Sequence, residues 1–328
     1  MIFKINVFLK RVFFIVLIVQ LIQCKNSSEK ETKKQGVTVS KEEISNHQIR
    51  DSISLGEMFT MYKLPYAYDH TIIYNPNDKQ WHLFGIIADN KEFIHLVADS
   101  LTQRGWEKKE SFVYKGIEIW APHIIEHDGQ FHMFYTSIGV PRAIRYSVSK
   151  DLYNWEHPSN EPLFAYSNEF TNNQKNKDPM VFKHRNTWIM YFSMLKDAKN
   201  WVVGYSTSKD LINWEGPKIC FDEHTEIPGV ESPFVVKRGN YYYLTLSARP
   251  TWPHGGQDFF RSKSPFLWEA TDLVKRINPW HAAEIIRDID GKWFYSRSSG
   301  SQNDFRMAEM FWNDGLDNEE TSMPIPNK

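Results

Sequence analysis

Asp69, Asp178 and Glu231 head three similar stretches, Asp69-His-Thr-Ile-Ile-Tyr, Asp178-Pro-Met-Val-Phe and Glu231-Ser-Pro-Phe-Val-Val. Two further copies carry Ala121 and His281-Ala282 at that place. If the five copies are sheets set around an axis, the first residue of each falls at the inner end of an innermost strand. Three carboxyls and an imidazole then share one centre. Like charges that close cannot all ionise, so at least one acid should have a raised pKa. A protonated carboxyl beside an ionised one can hydrolyse a glycosidic bond: one protonates the leaving oxygen, the other activates water. Two other readings account for the same acids, as caps on strand ends or as a structural cation site.

The elements that must position these residues are legible in the repeat. Each copy is a short apolar strand, a polar turn and an aromatic strand. The aromatic strands start near Trp81, Phe131, Trp188, Tyr241 and Trp293, which are 50, 57, 53 and 52 residues apart. That period suits the blades of a propeller. A second unit follows each of the first four copies, as in Arg145-Tyr-Ser-Val-Ser-Lys-Asp-Leu with Trp155 and Gly204-Tyr-Ser-Thr-Ser-Lys-Asp-Leu with Trp214. Its alternation of apolar and polar residues marks half-buried strands, and its Trp should plug the space between blades. The expected fold is all-β, a five-bladed β-propeller over residues 52–314. Segment 52–64 is expected to pair with the last blade and close the ring, removing free edges. Residues 315–328 read as a loose polar tail.

The chain has 328 residues and a net charge of −1, so nothing in its charge suits nucleic acid. Aromatics at 15%, with 12 Trp, favour β structure over a helical bundle. Lys4, Lys10 and Arg11 precede an apolar run, Val12 to Ile22, too short for a comfortable membrane span. Residues 1–24 therefore read as an export signal. Leu21-Ile22-Gln23-Cys24 resembles a bacterial lipobox, which implies lipidation of Cys24 and a membrane-anchored protein in the periplasm or on the cell surface; without the lipid the protein would be secreted. Residues 25–51 are polar and charged and read as a flexible tether. With Cys24 acylated, Cys220 has no partner in the chain and reads as a small packed residue.

At these residues the chain resembles the five-bladed propeller glycosidases, glycoside hydrolase family 43 and its relatives in family 32. Trp120-Ala-Pro-His-Ile-Ile-Glu-His-Asp-Gly-Gln-Phe-His-Met-Phe-Tyr is similar to the second blade of family 43. Lys177-Asp-Pro-Met-Val-Phe resembles the segment of its third acid, which tunes the proton donor and orients the sugar. Val230-Glu-Ser-Pro-Phe-Val-Val-Lys-Arg-Gly-Asn-Tyr resembles the segment of its general acid. His281-Ala-Ala-Glu-Ile-Ile-Arg resembles the last blade, where a His lies beneath the sugar, sometimes beside a calcium ion. Three positions depart from the pattern. His70 follows Asp69 where Pro is usual, His123 stands where family 43 often has Asp, and Ser232 replaces Gly or Cys.

The resemblance implies an enzyme with a carbohydrate substrate, no required cofactor and a structural calcium near His281; export follows from residues 1–24, and a monomer is expected. Glu231 would be the proton donor, Asp69 the base that activates water, and Asp178 the residue that tunes Glu231 and holds sugar hydroxyls. Around the mouth, His70, Trp120, His123, Trp252 and His281 are candidates for sugar contact. Exo action and inversion are the leading expectation. A retaining fructosidase using Asp69 as nucleophile and a non-catalytic glycan-binding propeller are the alternatives.

Overall fold

The computed structural model describes residues 53–87, 91–113, 117–138, 142–158, 162–163, 176–196, 200–222, 230–248, 256–277, 281–299, 304–316 and 320–326. Cys24, the proposed signal and tether, and Trp252 lie outside them. Five antiparallel sheets follow one another along the chain. The first is β3 (His70–Asn75), β4 (Gln80–Ile86), β5 (Glu92–Ala98) and β6 (Glu107–Val113). The second is β7 (Glu118–His127), β8 (Gln130–Ile138), β9 (Ala143–Ser149) and β10 (Trp155–Glu156). The third is β11 (Lys177–His184), β12 (Thr187–Leu195), β13 (Trp201–Ser208) and β14 (Lys218–Phe221). The fourth is β15 (Val230–Arg238), β16 (Tyr241–Ala248), β17 (Gly256–Ser262) and β18 (Leu273–Ile277). The fifth is β19 (His281–Arg287), β20 (Trp293–Ser299) and β21 (Asp304–Trp312). Its outer edge is completed by β1 (Ile53–Leu55) and β2 (Phe59–Lys63), both paired with β21. This is a five-bladed β-propeller in which the start of the folded chain closes the last blade.

Blades form because each central strand is apolar on both faces, and successive side chains point to opposite faces. In β12, Trp188, Met190 and Phe192 join the core shared with the second blade, whereas Ile189 and Tyr191 join the core shared with the fourth. The seam between fifth and first blades is equally apolar: Trp81 and Leu83 meet Phe294, Phe305 and Met307. Approach there is so close that a methyl group on Gly85 would lie 2.5 Å from the Phe305 ring. The repeated Trp residues are plugs, as expected. Trp155 meets Phe84 of the preceding blade edge-on at 5.7 Å, Trp214 meets Phe134 at 6.0 Å and Trp268 meets Tyr191 at 5.8 Å. Each of the first two turns is tied by its Asp: Asp151 accepts from the backbone N–H groups of Tyr153 and Asn154, and Asp210 from those of Ile212 and Asn213. Cys220 is a buried free thiol.

The C-terminal segment differs from the loose tail expected of it. Asp314 forms a two-pronged ion pair with Arg238 at 2.7 and 2.9 Å, and Ser322 and Glu320 bond the backbone at Lys237 and Gly239. Met323 packs on the core of the fourth and fifth blades. The segment is polar in composition, but these few anchors tie it down.

Buried histidines make the fold sensitive to acid. His82 Nδ1 and His95 Nε2 lie 2.8 Å apart, and His82 Nε2 bonds Asp78. Burial, with the His82 charge adding to it, lowers the His95 pKa to about 3. Burial likewise lowers that of His70 to about 4, although the Asp69 charge opposes it. Both rings fold neutral, so their contribution is complete above the unfolded value of 6.5 and is lost as pH falls through about 4 to 3. At pH 5 each group should cost about 2 kcal/mol relative to pH 8. The thermal midpoint should then drop by on the order of 8 °C. Calorimetry of wild type across this range checks it, and His95→Gln should flatten the dependence.

Candidate active site

The innermost strands of blades two to five begin with the same distortion. In each, two residues oppose one on the neighbouring strand: the paired register jumps from Trp120 to His123, Lys177 to Met180, Glu231 to Phe234 and His281 to Glu284. The first bulged residue is left-handed each time, with φ of 46° at Ala121, 59° at Asp178, 51° at Ser232 and 51° at Ala282. Such bulges re-aim side chains at sheet ends. β3 has no such jump, and its register runs unbroken from His70 to Asn75.

This geometry corrects the repeat alignment. Asp178 and Glu231 do not occupy the same position. Asp178 is level with Ala121, Ser232 and Ala282, whereas Glu231 is level with Trp120, Lys177 and His281. The one-residue offset is absorbed by the bulge, so all three acids still converge.

They converge through two intermediaries. Ser232 donates its hydroxyl to Asp69 Oδ1 at 2.6 Å and its backbone N–H to Asp178 Oδ2 at 3.0 Å. Lys177 Nζ lies 2.5 Å from Glu231 Oε1 and 3.4 Å from Asp178 Oδ2. Asp69, Ser232, Asp178, Lys177 and Glu231 thus form one continuous chain of contacts across blades one, four and three. Ser193 adds a third contact to Asp178 Oδ2 at 3.1 Å, and Thr136 receives the Asp178 N–H. Burial pushes the Asp178 carboxyl above the ordinary carboxylate range; Lys177 opposes this, while the Asp69 and Glu231 charges add to it. Burial alone would lower the Lys177 pKa, but Asp178 and Glu231 outweigh it and the net shift is upward.

His281 Nε2 stands 3.9 Å from Asp69 Oδ1, within the same group. Trp120 is half-buried, bonds Glu118 through its indole N–H at 2.9 Å, and has the Arg142 guanidinium over one face at 4.9 Å. One of its two stacking faces is therefore already occupied. His70 is buried and bonds Ser296 at 2.8 Å, against the Phe305 ring. His123 is also buried; its Nε2 bonds the Val181 carbonyl at 3.0 Å and its Nδ1 faces Glu284 at 3.8 Å. Both histidines stitch blades together. His70 also lines a cavity of about 30 Å³ on the axis, with Asp69, Asp178, Ser232, Ala282 and Glu284. That is room for roughly one or two waters.

Lys177, Ser232, Arg142 and Glu284 are site residues that the motif reading did not single out. Glu284 is a fourth buried acid, level with His123 in the repeat, and burial raises its pKa while His123 opposes the shift. Its signal in the sequence was its place two residues into an apolar strand, where a carboxylate has no solvent. His281 has Asp69 within 4 Å, and no group of three or more His, Cys, Asp or Glu side chains converges among the described residues. That donor set does not fit a calcium held by side chains, which takes six to eight oxygens.

Comparison with known proteins agrees with the five-bladed fold. Residues 94–272 match the profile of glycosyl hydrolases family 43. The chain belongs to that family. An extracellular exo-α-(1→5)-L-arabinofuranosidase of Cellvibrio japonicus is 24% identical over 165 residues, 44% of this chain and 46% of that protein. The match thus spans about half the length of that curated relative. Among solved structures, an endo-arabinase of Bacteroides thetaiotaomicron superposes with a TM-score of 0.63 at 16% identity, covering 80% of this chain and 99% of that one. A thermostable family-43 glycoside hydrolase gives 0.60 at 18% identity, with 81% and 98% covered. A family-32 β-fructofuranosidase of Bombyx mori gives 0.57 at 14%, with 82% and 64% covered. These likenesses define the five-bladed fold.

Proposed function

We propose that this protein is an exported, exo-acting, inverting glycosidase that removes terminal L-arabinofuranosyl units from oligosaccharides. The observation that carries the catalytic reading is the unbroken contact chain from Asp69 to Glu231, which places two carboxyls on either side of a third. In this reading Glu231 gives a proton to the glycosidic oxygen. Asp69, held by the Ser232 hydroxyl, takes a proton from the attacking water. Asp178 accepts sugar hydroxyls and keeps the electrostatic balance of the pair. His281, next to Asp69, and Trp120 supply the sugar contacts. The arabinose assignment is supported by the relative from Cellvibrio japonicus, named as an exo-arabinofuranosidase, and by the arabinase among the structural neighbours. Export is supported by the basic and apolar start of the chain and Cys24, and by the extracellular relative. The test is a screen of arabino-, xylo-, galacto- and fructo-oligosaccharides with residues 25–328, with the product anomer followed by proton NMR. Release of the inverted arabinose is expected. Retention with a fructoside would replace this reading with the fructosidase one, and no hydrolysis would leave a binding propeller.

Ser232 offers a smaller test of the same geometry. Ser232→Ala and Ser232→Gly both delete the hydrogen bond to Asp69, which should lower kcat/KM about 10-fold. Only the glycine relieves a left-handed backbone at φ 51°, which strains an L-residue by about 1–2 kcal/mol. The glycine variant should therefore be more stable than the alanine variant by roughly that amount in urea unfolding, with equal activity.

A further inference from the structure

We propose that Lys177 is a positioning residue that holds Glu231 as a carboxylate while the site is empty, and that the incoming sugar must take over the Lys177 contact before Glu231 can carry the proton it donates. The inference rests on the reading of Glu231 as the general acid. Lys177 is level in the repeat with Trp120, Glu231 and His281, the residues the other bulges turn toward the shared centre. It is only 8% exposed. Its ammonium lies 2.5 Å from Glu231 Oε1, 3.4 Å from Asp178 Oδ2 and 5.2 Å from the centre of the Trp201 ring, so each side of the charge is engaged.

These contacts and the proposed chemistry pull in opposite directions. An ammonium in contact favours the ionised carboxyl. A general acid must hold its proton when the leaving oxygen arrives. The conflict is resolved if the Lys177–Glu231 contact belongs to the empty site. Sugar hydroxyls are acceptors that an ammonium can exchange for a carboxylate oxygen, and Asp178 remains beside Lys177 to keep its charge neutralised. Freed from Lys177, Glu231 takes a proton from solvent and passes it to the glycosidic oxygen as that bond breaks. Asp69 takes the proton of the attacking water and returns it to solvent. The proton count balances over one turnover. The same ion pair also joins β11 to β15, so a purely structural tie between blades three and four is the competing account.

The pH profile of kcat/KM separates the two, because it reports the free enzyme. Activity that needs a protonated Glu231 falls on the alkaline side as that proton is lost. Removing the Lys177 charge should move this limb upward by one pH unit or more. Lys177→Gln and Lys177→Met are both measured on α-1,5-L-arabinotriose, since methionine also removes any hydrogen-bond donor at this position and is the harsher change. Lys177→Arg keeps the charge and should keep the limb where wild type has it. At one pH unit above the wild-type limb, Lys177→Gln should retain about 10-fold more of its own maximal activity than wild type does. An unmoved limb with activity lower at every pH would overturn the proposal in favour of the structural tie. A measurement without a lysine variant is the ¹³C carboxyl titration of Glu231 with and without arabinotriose in Asp69→Asn protein. The proposal expects a carboxylate in the free protein and an upward-shifted titration in the complex, and an unchanged titration would overturn it. Failure of the underlying reading shows differently, as full activity of Glu231→Gln.

Discussion

Glu231→Gln protein should hydrolyse arabinotriose about 10²–10⁴-fold more slowly than wild type, the range a general acid supplies. Its fold should survive. Glutamine keeps an acceptor for Lys177, and Lys177 still has Asp178 at 3.4 Å, so no charge is left alone in the core. Removal of the side chain in Glu231→Ala is harsher, because a nearly buried ammonium loses its closest partner. The informative comparison is between leaving groups. An aryl arabinoside whose phenol leaves without protonation should recover most of the loss in Glu231→Gln. Asp69→Asn should lose a similar factor on both substrates, since a better leaving group does not activate water. Equal losses of Glu231→Gln on the two substrates would remove Glu231 from the acid role. Recovery in Asp69→Asn would remove Asp69 from the base role.

The parts of this site that could be read from sequence are those carried by pattern. Strand positions follow from short apolar runs buried on both faces, as in Trp188 to Phe192, and the Asp-Leu-x-x-Trp turns follow from one tryptophan per blade finding the gap beside the preceding blade. The acids Asp69, Asp178 and Glu231 stood out because carboxylates at the ends of apolar strands are exceptions to that pattern. What was illegible was the phase. A bulge inserts one residue without altering the apolar run after it, so Glu231 looked equivalent to Asp178 when it is equivalent to Lys177. For the same reason a lysine preceding Asp178 read as part of a motif rather than as the partner of Glu231. Ser232 was visible only as a departure from the family pattern, and its hydroxyl explains the departure by bonding Asp69. His70 and His123 were read toward the sugar, while the structure ties them to Ser296 and Val181. Which of its two directions a buried histidine faces depends on the neighbouring blade, hundreds of residues away in the case of Ser296. The C-terminal anchors were equally hidden, because composition reports polarity and not the single buried partner that a polar residue finds.

That last point leads to the largest expected change in stability. Asp314→Ala should lower the unfolding free energy by about 3–5 kcal/mol, the range for removing one partner of a buried ion pair. The thermal midpoint should fall by on the order of 10 °C. Arg238 is 2% exposed, lies 4.6 Å from the Trp312 ring and 5.4 Å from the Trp293 ring, and donates to both oxygens of Asp314. Without Asp314 the guanidinium loses this two-pronged partner while its charge stays beside the two indoles. The Tyr243 hydroxyl, which donates to Asp314 Oδ2 at 3.0 Å, loses that acceptor as well. Asp314→Asn keeps the acceptor but not the charge, and should fall about midway. Arg238→Met combined with Asp314→Leu should lie closer to wild type than Asp314→Ala does, because the buried charge is removed together with its partner. The pH dependence supplies an internal check. Burial pushes the Asp314 carboxyl up, but the Arg238 hydrogen bonds and charge outweigh it and hold it below the ordinary 3.8. A depressed carboxylate contributes fully above its unfolded value, and that contribution is lost as pH falls through the folded one. The gap between wild type and Asp314→Ala should therefore stay constant from neutral pH to about 4 and narrow below it. A gap that is already small at pH 7 would mean that the C-terminal segment lies on the blades without holding them.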